Sequence, residues 1–259
     1  MLPVSLYDEI NINKGRKIVK KTALKDRLTV TCDDSLVPQG RQNLVYKAAS
    51  LVLNEKSINE SVRIRIHKRI PVGAGLGGGS TDAAATLVGL NRLFRLGYTL
   101  KRLEKMSFAL GTDVPFFVRG VPARARGIGE RLTPLRGVPR LWLIILYPNF
   151  PVLTVEIYRN LPLKLTKAIV NTSINFSLGS SANLRKLLVN DLETVTMGRY
   201  PRIGLLKEEL ARQGAVGTLM SGSGSSVFGV FQSRRSAERA FRRLRKKREV
   251  QAFLVRVLN

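Results

Sequence analysis

The sequence predicts an α+β protein, and three observations support this class. Strand-like and helix-like runs follow one another along the chain without internal repeats. Val62, Ile64 and Ile66 alternate with polar residues, which is typical of a half-solvated strand in an antiparallel or mixed sheet. The length of 259 residues allows one large domain or two ordinary ones, and 44% of the residues are hydrophobic, enough to build a core.

Apolar spacing predicts the elements of the N-terminal half in chain order. Residues 28–31 read as a short strand and residues 43–53 as a helix. After a glycine-rich loop, one helix is predicted from Ser80 to near Gly97, and another over 100–110, with glycine as the terminator of each.

The C-terminal half begins with a strongly apolar strand at 141–147, followed by a polar, irregular stretch at 163–183. Residues 190–193, reading NDLE, have the spacing of a capping box with Asn190 as the cap. The other predicted elements are a helix at 201–213, strands at 215–219 and 227–231 joined by SGSGSS, a basic helix at 234–248 and a closing strand at 252–258.

The glycine-rich loop lies within residues 71–85, which read PVGAGLGGGSTDAAA. Glycines without a Cβ let backbone N–H groups approach a ligand closely, and the residues 80–82 that follow are good helix openers. A helix N-terminus favours an anion, above all phosphate, so the loop predicts a phosphate cradle. A glycine-rich turn with no ligand is the alternative on local grounds.

Two better-known phosphate motifs fit this loop less well. Gly73, Gly75 and Gly78 satisfy the dinucleotide pattern G-x-G-x-x-G, but the strand before them alternates instead of being fully buried. No Gly-Lys-Ser/Thr sequence closes the loop, so the P-loop pattern fails.

The chain is strongly basic, with 44 Lys+Arg against 18 Asp+Glu and a formal net charge of +26. Such a field attracts polyanions, including ATP, diphosphate substrates and nucleic acid. No zinc-finger or aromatic RNA-binding pattern accompanies the charge, so a solvated basic surface is the preferred interpretation and nucleic acid is not expected as a partner.

The sequence also predicts a cytoplasmic protein that does not bind a membrane. Its one cysteine, Cys32, excludes an internal disulfide, which suits a reducing compartment. No apolar run approaches the length of a membrane span. No leader with a charged segment followed by an apolar one is seen either.

Three runs of the sequence together resemble the GHMP kinases, a family of small-molecule kinases named for galactose, homoserine, mevalonate and phosphomevalonate. They are the loop at 71–85, GTDVPFF at 111–117 and MSGSGSSVFGVF at 220–231. Four shorter runs resemble the branch that acts on a cytidine-diphosphate-linked alcohol in non-mevalonate isoprenoid synthesis: SLYDEI at 5–10, RQNLVYKAA at 41–49, RGIGERL at 126–132 and NDLE at 190–193.

This resemblance implies the two-domain GHMP kinase fold. Residues 1–137 would form an ATP-binding N-terminal half like domain 2 of ribosomal protein S5, and residues 138–259 a ferredoxin-like C-terminal half. It implies phosphorylation, by ATP with Mg²⁺, of a hydroxyl of 4-diphosphocytidyl-2-C-methyl-D-erythritol. A monomer or a homodimer is expected.

The resemblance also implies roles for particular residues. Asp113 corresponds to the catalytic aspartate, while Asn43, Leu44 and Lys68 would lie near the adenine. The phosphates would contact Gly73, Ala74, Gly75, Leu76, Gly77, Gly78, Gly79, Ser80 and Thr81. The substrate would contact Thr154, Tyr158, Gly222, Ser223 and Gly224.

Each role has a structural alternative. Asn43 is a plausible helix N-cap and Asp113 an ordinary turn or cap aspartate. Lys68 is one charge in a basic strand, Thr154 and Tyr158 suit helix packing, and SGSGSS suits a flexible hairpin turn. Glu130 reads equally well as a site-facing acid and as a surface turn residue.

The family pattern opens with a strand carrying an Ala-Lys-Ile-Asn-Leu run and a loop with Asp-Gly-Tyr-His, and this sequence shows neither. Asn11, Asn13 and Lys14 echo the lysine motif, but they follow the SLYDEI run. Two alternatives to the expected reaction therefore stay open: a catalytically impaired remnant that binds nucleotide or nucleic acid, and a kinase for another small alcohol.

Overall fold

A computed structural model describes residues 1–17, 23–129, 131–161 and 188–259. For Lys25 it describes the backbone alone. The irregular stretch predicted at 163–183 and the candidate acid Glu130 lie outside the described residues. The chain divides into two compact units. The first unit comprises Met1–Pro3, Tyr7–Val72 and Gly77–Arg136, and the second comprises Val4–Leu6, Gly73–Leu76 and Gly137–Asn259.

The first unit contains a mixed three-stranded sheet of β1 (Glu9–Lys17), β2 (Leu28–Cys32) and β3 (Glu60–His67) in the order β1-β3-β2. The central strand β3 is antiparallel to β1 and parallel to β2. Its apolar side chains are buried and Arg63 and Arg65 are exposed, as the alternating pattern predicted.

Helices cover this sheet because their apolar stripes need a partner surface. The helices are α1 (Leu24–Arg27), α2 (Leu44–Glu55), α3 (Gly78–Leu93), α4 (Leu100–Ser107) and α5 (Val114–Arg119). Helices α2 and α3 pack against each other, and Leu53, Leu87 and Leu90 are fully buried in the core with Ile64 and Ile66 of β3. A hairpin of β4 (Ala123–Arg126) and β5 (Arg131–Pro134) follows.

Three helix predictions in this unit need correction. Helix α3 begins at Gly78 and not at Ser80, because Gly77 takes the left-handed N-cap conformation with φ +70°. Helix α4 ends at Ser107, three residues short of the prediction. The turn predicted after Asp113 is in fact α5, since Pro115 lies in the first helical turn, where proline is tolerated.

The second unit contains a four-stranded antiparallel sheet in the order β7-β8-β6-β9. The strands are β6 (Trp142–Tyr147), β7 (Gly217–Met220), β8 (Val227–Phe231) and β9 (Gln251–Arg256). Helices precede β7 and β9, which gives the β-α-β-β-α-β succession of ferredoxin-like folds. The helices are α6 (Thr154–Arg159), α7 (Leu192–Arg199), α8 (Arg202–Arg212) and α9 (Arg234–Leu244).

The core of the second unit lies between this sheet and its helices, with Ile144 and Phe231 from the strands against Leu210 of α8 and Leu244 of α9. No helix within the described ranges is both long enough and apolar enough to cross a membrane.

The capping box predicted at 190–193 is only half formed. Asn190 Oδ1 accepts from the N–H of Leu192 at 3.1 Å, as expected of a capping asparagine, and its amide donates to the carbonyl oxygens of Met220 and Gly222. The Glu193 carboxylate instead accepts from the N–H of Met220 at 2.7 Å and pairs with Lys207 at 2.5 Å. Tertiary partners therefore replace the Glu193 half of the box.

Candidate active site

In the first unit, the N-terminus of α3 exposes backbone donors. A Cβ placed on Gly77 would lie 2.7 Å from the Phe117 ring, so only glycine fits at this N-cap. The N–H and hydroxyl of Thr81 both donate to the Gly77 carbonyl oxygen at 2.9 Å. Among the described residues, none accepts a hydrogen bond from the three preceding N–H groups, those of Gly78, Gly79 and Ser80. Such a helix end is suited to bind an anion.

Two of the residues predicted near adenine, Leu44 and Lys68, lie against this first turn. A Cβ on Gly79 would lie 3.7 Å from Leu44 Cδ1, and one on Gly78 would lie 3.2 Å from Lys68 Nζ. Asn43 is buried and caps α2, because its Oδ1 accepts from the N–H of Val45 at 2.8 Å. The structural alternative for Asn43 is therefore realised, while an adenine contact by any of the three stays a prediction.

Lys68 also belongs to a buried ionic cluster that the sequence did not reveal. Its Nζ lies 2.5 Å from Asp8 Oδ2 and 2.9 Å from Asp82 Oδ2. Although desolvation opposes the shift, the carboxylates of Asp82 and Asp8 raise the pKa of Lys68. The pKa of Asp82 is raised to about 7, mainly because burial disfavours its charged form. The Lys68 ammonium opposes this shift, and the Asp8 carboxylate adds to it.

Asp113 lies at the N-cap position of α5, the helix that carries Phe117. Four residues make about one helical turn, so Asp113 lies one turn before Phe117, whose ring packs on Gly77. The residue is exposed, and its carboxylate caps no backbone N–H of α5. Partial burial of the carboxyl raises the pKa of Asp113 above its ordinary value. Among the described residues, the Asp113 carboxylate has no hydrogen-bond or ion-pair partner, and it lies at the start of the helix that packs on the α3 N-terminus.

Gly129, in the turn between β4 and β5, packs against the residue before Asp113. Its φ of +114° lies in a region that side chains disfavour, and a Cβ there would lie 3.0 Å from the Thr112 carbonyl oxygen. The hairpin turn and the loop carrying Asp113 are therefore in close contact within the first unit.

In the second unit, residues 73–76 pack against the SGSGSS loop. A Cβ on Gly75, whose φ is +72°, would lie 2.2 Å from the Ser221 carbonyl oxygen and 2.6 Å from that of Gly224. The Ser221 hydroxyl donates to the Gly75 carbonyl oxygen at 2.9 Å, and the Ser226 N–H donates to that of Ala74 at 3.1 Å. The SGSGSS loop is therefore not a free hairpin turn but a packing partner of residues 73–76.

The residues predicted to contact substrate lie in the same unit. The hydroxyls of Thr154 and Ser223 are 2.9 Å apart, and Ser223 is only 4% exposed. Gly222 lies against Gly75, since a Cβ there would be 3.1 Å from the Gly75 carbonyl oxygen. Tyr158 of α6 is 59% exposed, which leaves its ring free to stack. Substrate contact by these residues stays a prediction.

Comparison with protein families matches both parts of the chain. The family described as GHMP kinases N terminal domain matches residues 43–121, and the family described as GHMP kinases C terminal matches residues 173–250.

Comparison with named proteins gives relatives along the whole chain. A protein of Citrifermentans bemidjiense named 4-diphosphocytidyl-2-C-methyl-D-erythritol kinase is 45% identical over 260 residues, covering 100% of this chain and 89% of the relative. A Clostridium perfringens protein of the same name is 37% identical, covering 100% of this chain and 88% of the relative.

Solved structures show the same relationship. A crystal structure of 4-(cytidine 5'-diphospho)-2C-methyl-D-erythritol kinase matches with a TM-score of 0.78 and 32% identity, over 100% of this chain and 88% of that one. The L. major mevalonate kinase in complex with R-mevalonate matches with a TM-score of 0.73 over 99% of this chain and 88% of that one. At 16% identity, this second match shows a shared fold alone.

Proposed function

This chain belongs to the GHMP kinase family, and we propose that it transfers the terminal phosphoryl group of ATP to a hydroxyl of 4-diphosphocytidyl-2-C-methyl-D-erythritol. The names of relatives at 37–45% identity along the whole chain support this substrate. The observation that carries the reaction type is the pairing of an open helix N-terminus with the exposed carboxylate of Asp113 on the adjoining helix.

The proposed roles follow from the needs of phosphoryl transfer, which depends mainly on positioning and charge stabilisation. The N–H groups of Gly78, Gly79 and Ser80 would hold the nucleotide phosphates at the positive end of α3. Asp113 would accept or orient the proton of the attacking hydroxyl. A general base works best when its pKa lies near the operating pH. The raised pKa of Asp113 is a shift in that direction.

We also propose that Mg²⁺ accompanies the nucleotide, where it would neutralise charge on the phosphate oxygens. Within the described ranges, no group of three or more His, Cys, Asp or Glu side chains is placed to hold a metal ion. This suits Mg²⁺, which binds through one or two protein oxygens together with substrate phosphates. The Ser80 hydroxyl in the first turn of α3 is a candidate oxygen ligand.

The test is ADP formation by the purified chain, with the phosphorylated alcohol identified by ³¹P NMR. We expect turnover of ATP with 4-diphosphocytidyl-2-C-methyl-D-erythritol and none with galactose, homoserine or mevalonate. Turnover with one of those alcohols instead would show that this alcohol, and not the proposed one, is the substrate. Nucleotide binding without any turnover would identify an impaired remnant.

Exchanging Gly129 for alanine is predicted to reduce kcat while leaving the KM for ATP nearly unchanged. The new Cβ would press on the Thr112 carbonyl oxygen and displace the neighbouring Asp113. A displacement of about 1 Å at a reacting group can lower the rate by roughly 10²-fold.

The control is Gly97→Ala in the same unit, because Gly97 also has a positive φ, of +71°, but none of the described residues lies within 4 Å of its Cβ position. Because the φ of +114° at Gly129 is more strained for alanine, a thermal melt of each variant accompanies the steady-state kinetics. Equal kcat values for the two variants would contradict the proposed link between the hairpin turn and Asp113.

A further inference from the structure

The buried cluster of Asp8, Lys68 and Asp82 has no part in the reaction as proposed above. The side chain of Asp8 is 1% exposed, and those of Lys68 and Asp82 are 5% exposed. Burial of three ionisable groups costs free energy unless they pair with one another, and removal of one partner leaves an uncompensated charge. The cluster therefore calls for a specific explanation.

Each member comes from a different segment of the first unit. Asp8 precedes β1, and its Oδ1 accepts from the N–H groups of Arg69 at 2.6 Å and Ile70 at 2.9 Å. Lys68 follows β3, and Asp82 lies in the second turn of α3. The cluster thus joins the chain that leaves β3 to the N-terminal end of α3.

The ammonium of Lys68 also lies against the first residue of α3. A Cβ on Gly78 would be 3.2 Å from Lys68 Nζ and 3.1 Å from Ile70 Cγ2. A cation at this end of a helix is repelled by the helix dipole, so it needs nearby negative charge to remain there. The carboxylates of Asp8 and Asp82 supply that charge.

We propose that Lys68 is a positioning residue for phosphate binding: held by Asp8 and Asp82, it fixes the first turn of α3 so that the N–H groups of Gly78, Gly79 and Ser80 converge on one phosphate. This inference rests on the proposed function. It differs from the adenine contact that the resemblance implies for Lys68, because a positioning role acts on the phosphates and does not depend on the base.

The environment of Asp82 supports this role. Among the described residues, none donates a hydrogen bond to its buried Oδ1. The charged side chains that face it from the packed segments are Lys68 and Asp8. Lys68 is therefore the cation that compensates the Asp82 carboxylate, and the pair links Lys68 to α3 directly.

The test measures the binding of ATP and of inorganic tripolyphosphate, which has no base, by titration calorimetry. We expect Lys68→Met to weaken both ligands by a similar factor of about tenfold or more, since misplaced binding groups lose large factors. Weaker ATP binding with unchanged tripolyphosphate binding would establish the adenine contact and overturn the positioning role.

A second variant keeps the proposal testable if Lys68→Met does not fold. Asp82→Asn retains the Lys68–Asp8 pair but removes the ion pair between Lys68 and α3. ATP and tripolyphosphate should both bind this variant more weakly than the wild-type protein, by a similar factor. Wild-type affinity for both ligands would overturn the proposal.

The wild-type protein separates this proposal from the proposed function. If it binds neither ATP nor tripolyphosphate, the kinase function fails and the positioning role fails with it. If it binds both and phosphorylates its alcohol, the function stands, and the two variants alone decide the role of Lys68.

Discussion

Replacing Asp113 with asparagine is expected to lower kcat by about 10²–10⁴-fold, the usual contribution of a positioned general base. The amide has the shape of the carboxylate but cannot accept the proton of the attacking hydroxyl. ATP affinity and melting temperature should change little, because Asp113 is exposed and caps no backbone N–H of α5. Initial rates of ADP formation at saturating substrates give the result directly.

The control for this prediction is Asp26→Asn, which removes another exposed aspartate of the first unit, in α1. A second readout is the pH profile. Partial burial raises the pKa of Asp113 above the ordinary aspartate value of about 3.9. The carboxylate, which is the base form, therefore accumulates as the pH rises through this raised pKa, and kcat/KM should rise with it. The asparagine variant should lose this acidic limb. An unchanged kcat would remove Asp113 from the mechanism.

Much of the fold was predictable because local patterns and tertiary packing agree. The alternation at Val62, Ile64 and Ile66 predicted a half-buried strand, and β3 buries those three side chains in a mixed sheet. The apolar stripe from Ala83 to Leu90 likewise predicted the buried face of α3. Periodicity identifies an element well when one of its faces meets a core.

Element ends were less predictable, because they depend on contacts that are distant in sequence. Serine and aspartate at 80–82 suggested a helix start, yet Gly77 forms the N-cap because Phe117 leaves no space for a Cβ there. Glu193 matched a capping box, but Met220 and Lys207 occupy its carboxylate instead. In both cases a tertiary partner replaces the local preference.

The candidate site was only partly predictable for a similar reason. The glycine loop and Asp113 belong to short runs that resemble family motifs, so their residues could be named from the sequence. The link between Asp8, Lys68 and Asp82 could not, because these side chains are 60 and 14 residues apart and meet only in the folded unit. The two adjacent acids of SLYDEI, Asp8 and Glu9, give no signal in the sequence that one of them is buried.

Substitution of Gly75 with alanine should weaken ATP binding by roughly 10²-fold. The two atoms nearest to the new Cβ, at 2.2 Å on Ser221 and 2.6 Å on Gly224, are backbone oxygens that cannot rotate away. Residues 73–76 would have to move, which also breaks the hydrogen bond from the Ser221 hydroxyl to the Gly75 carbonyl oxygen. Relief of these contacts needs a shift of about 1 Å, and a misplacement of that size can lower function by roughly 10²-fold.

The matched control for Gly75→Ala is Gly137→Ala, in the same unit. Gly137 has nearly the same dihedral, φ +69° against +72°, but no atom of the described part of the chain lies within 4 Å of its Cβ position. Left-handed backbone strain of about 1–2 kcal/mol therefore applies to both variants, and only Gly75→Ala adds the clash. Calorimetric titration with ATP, beside a thermal melt of each variant, isolates that difference. Wild-type affinity in Gly75→Ala would show that the packing of residues 73–76 does not govern nucleotide binding.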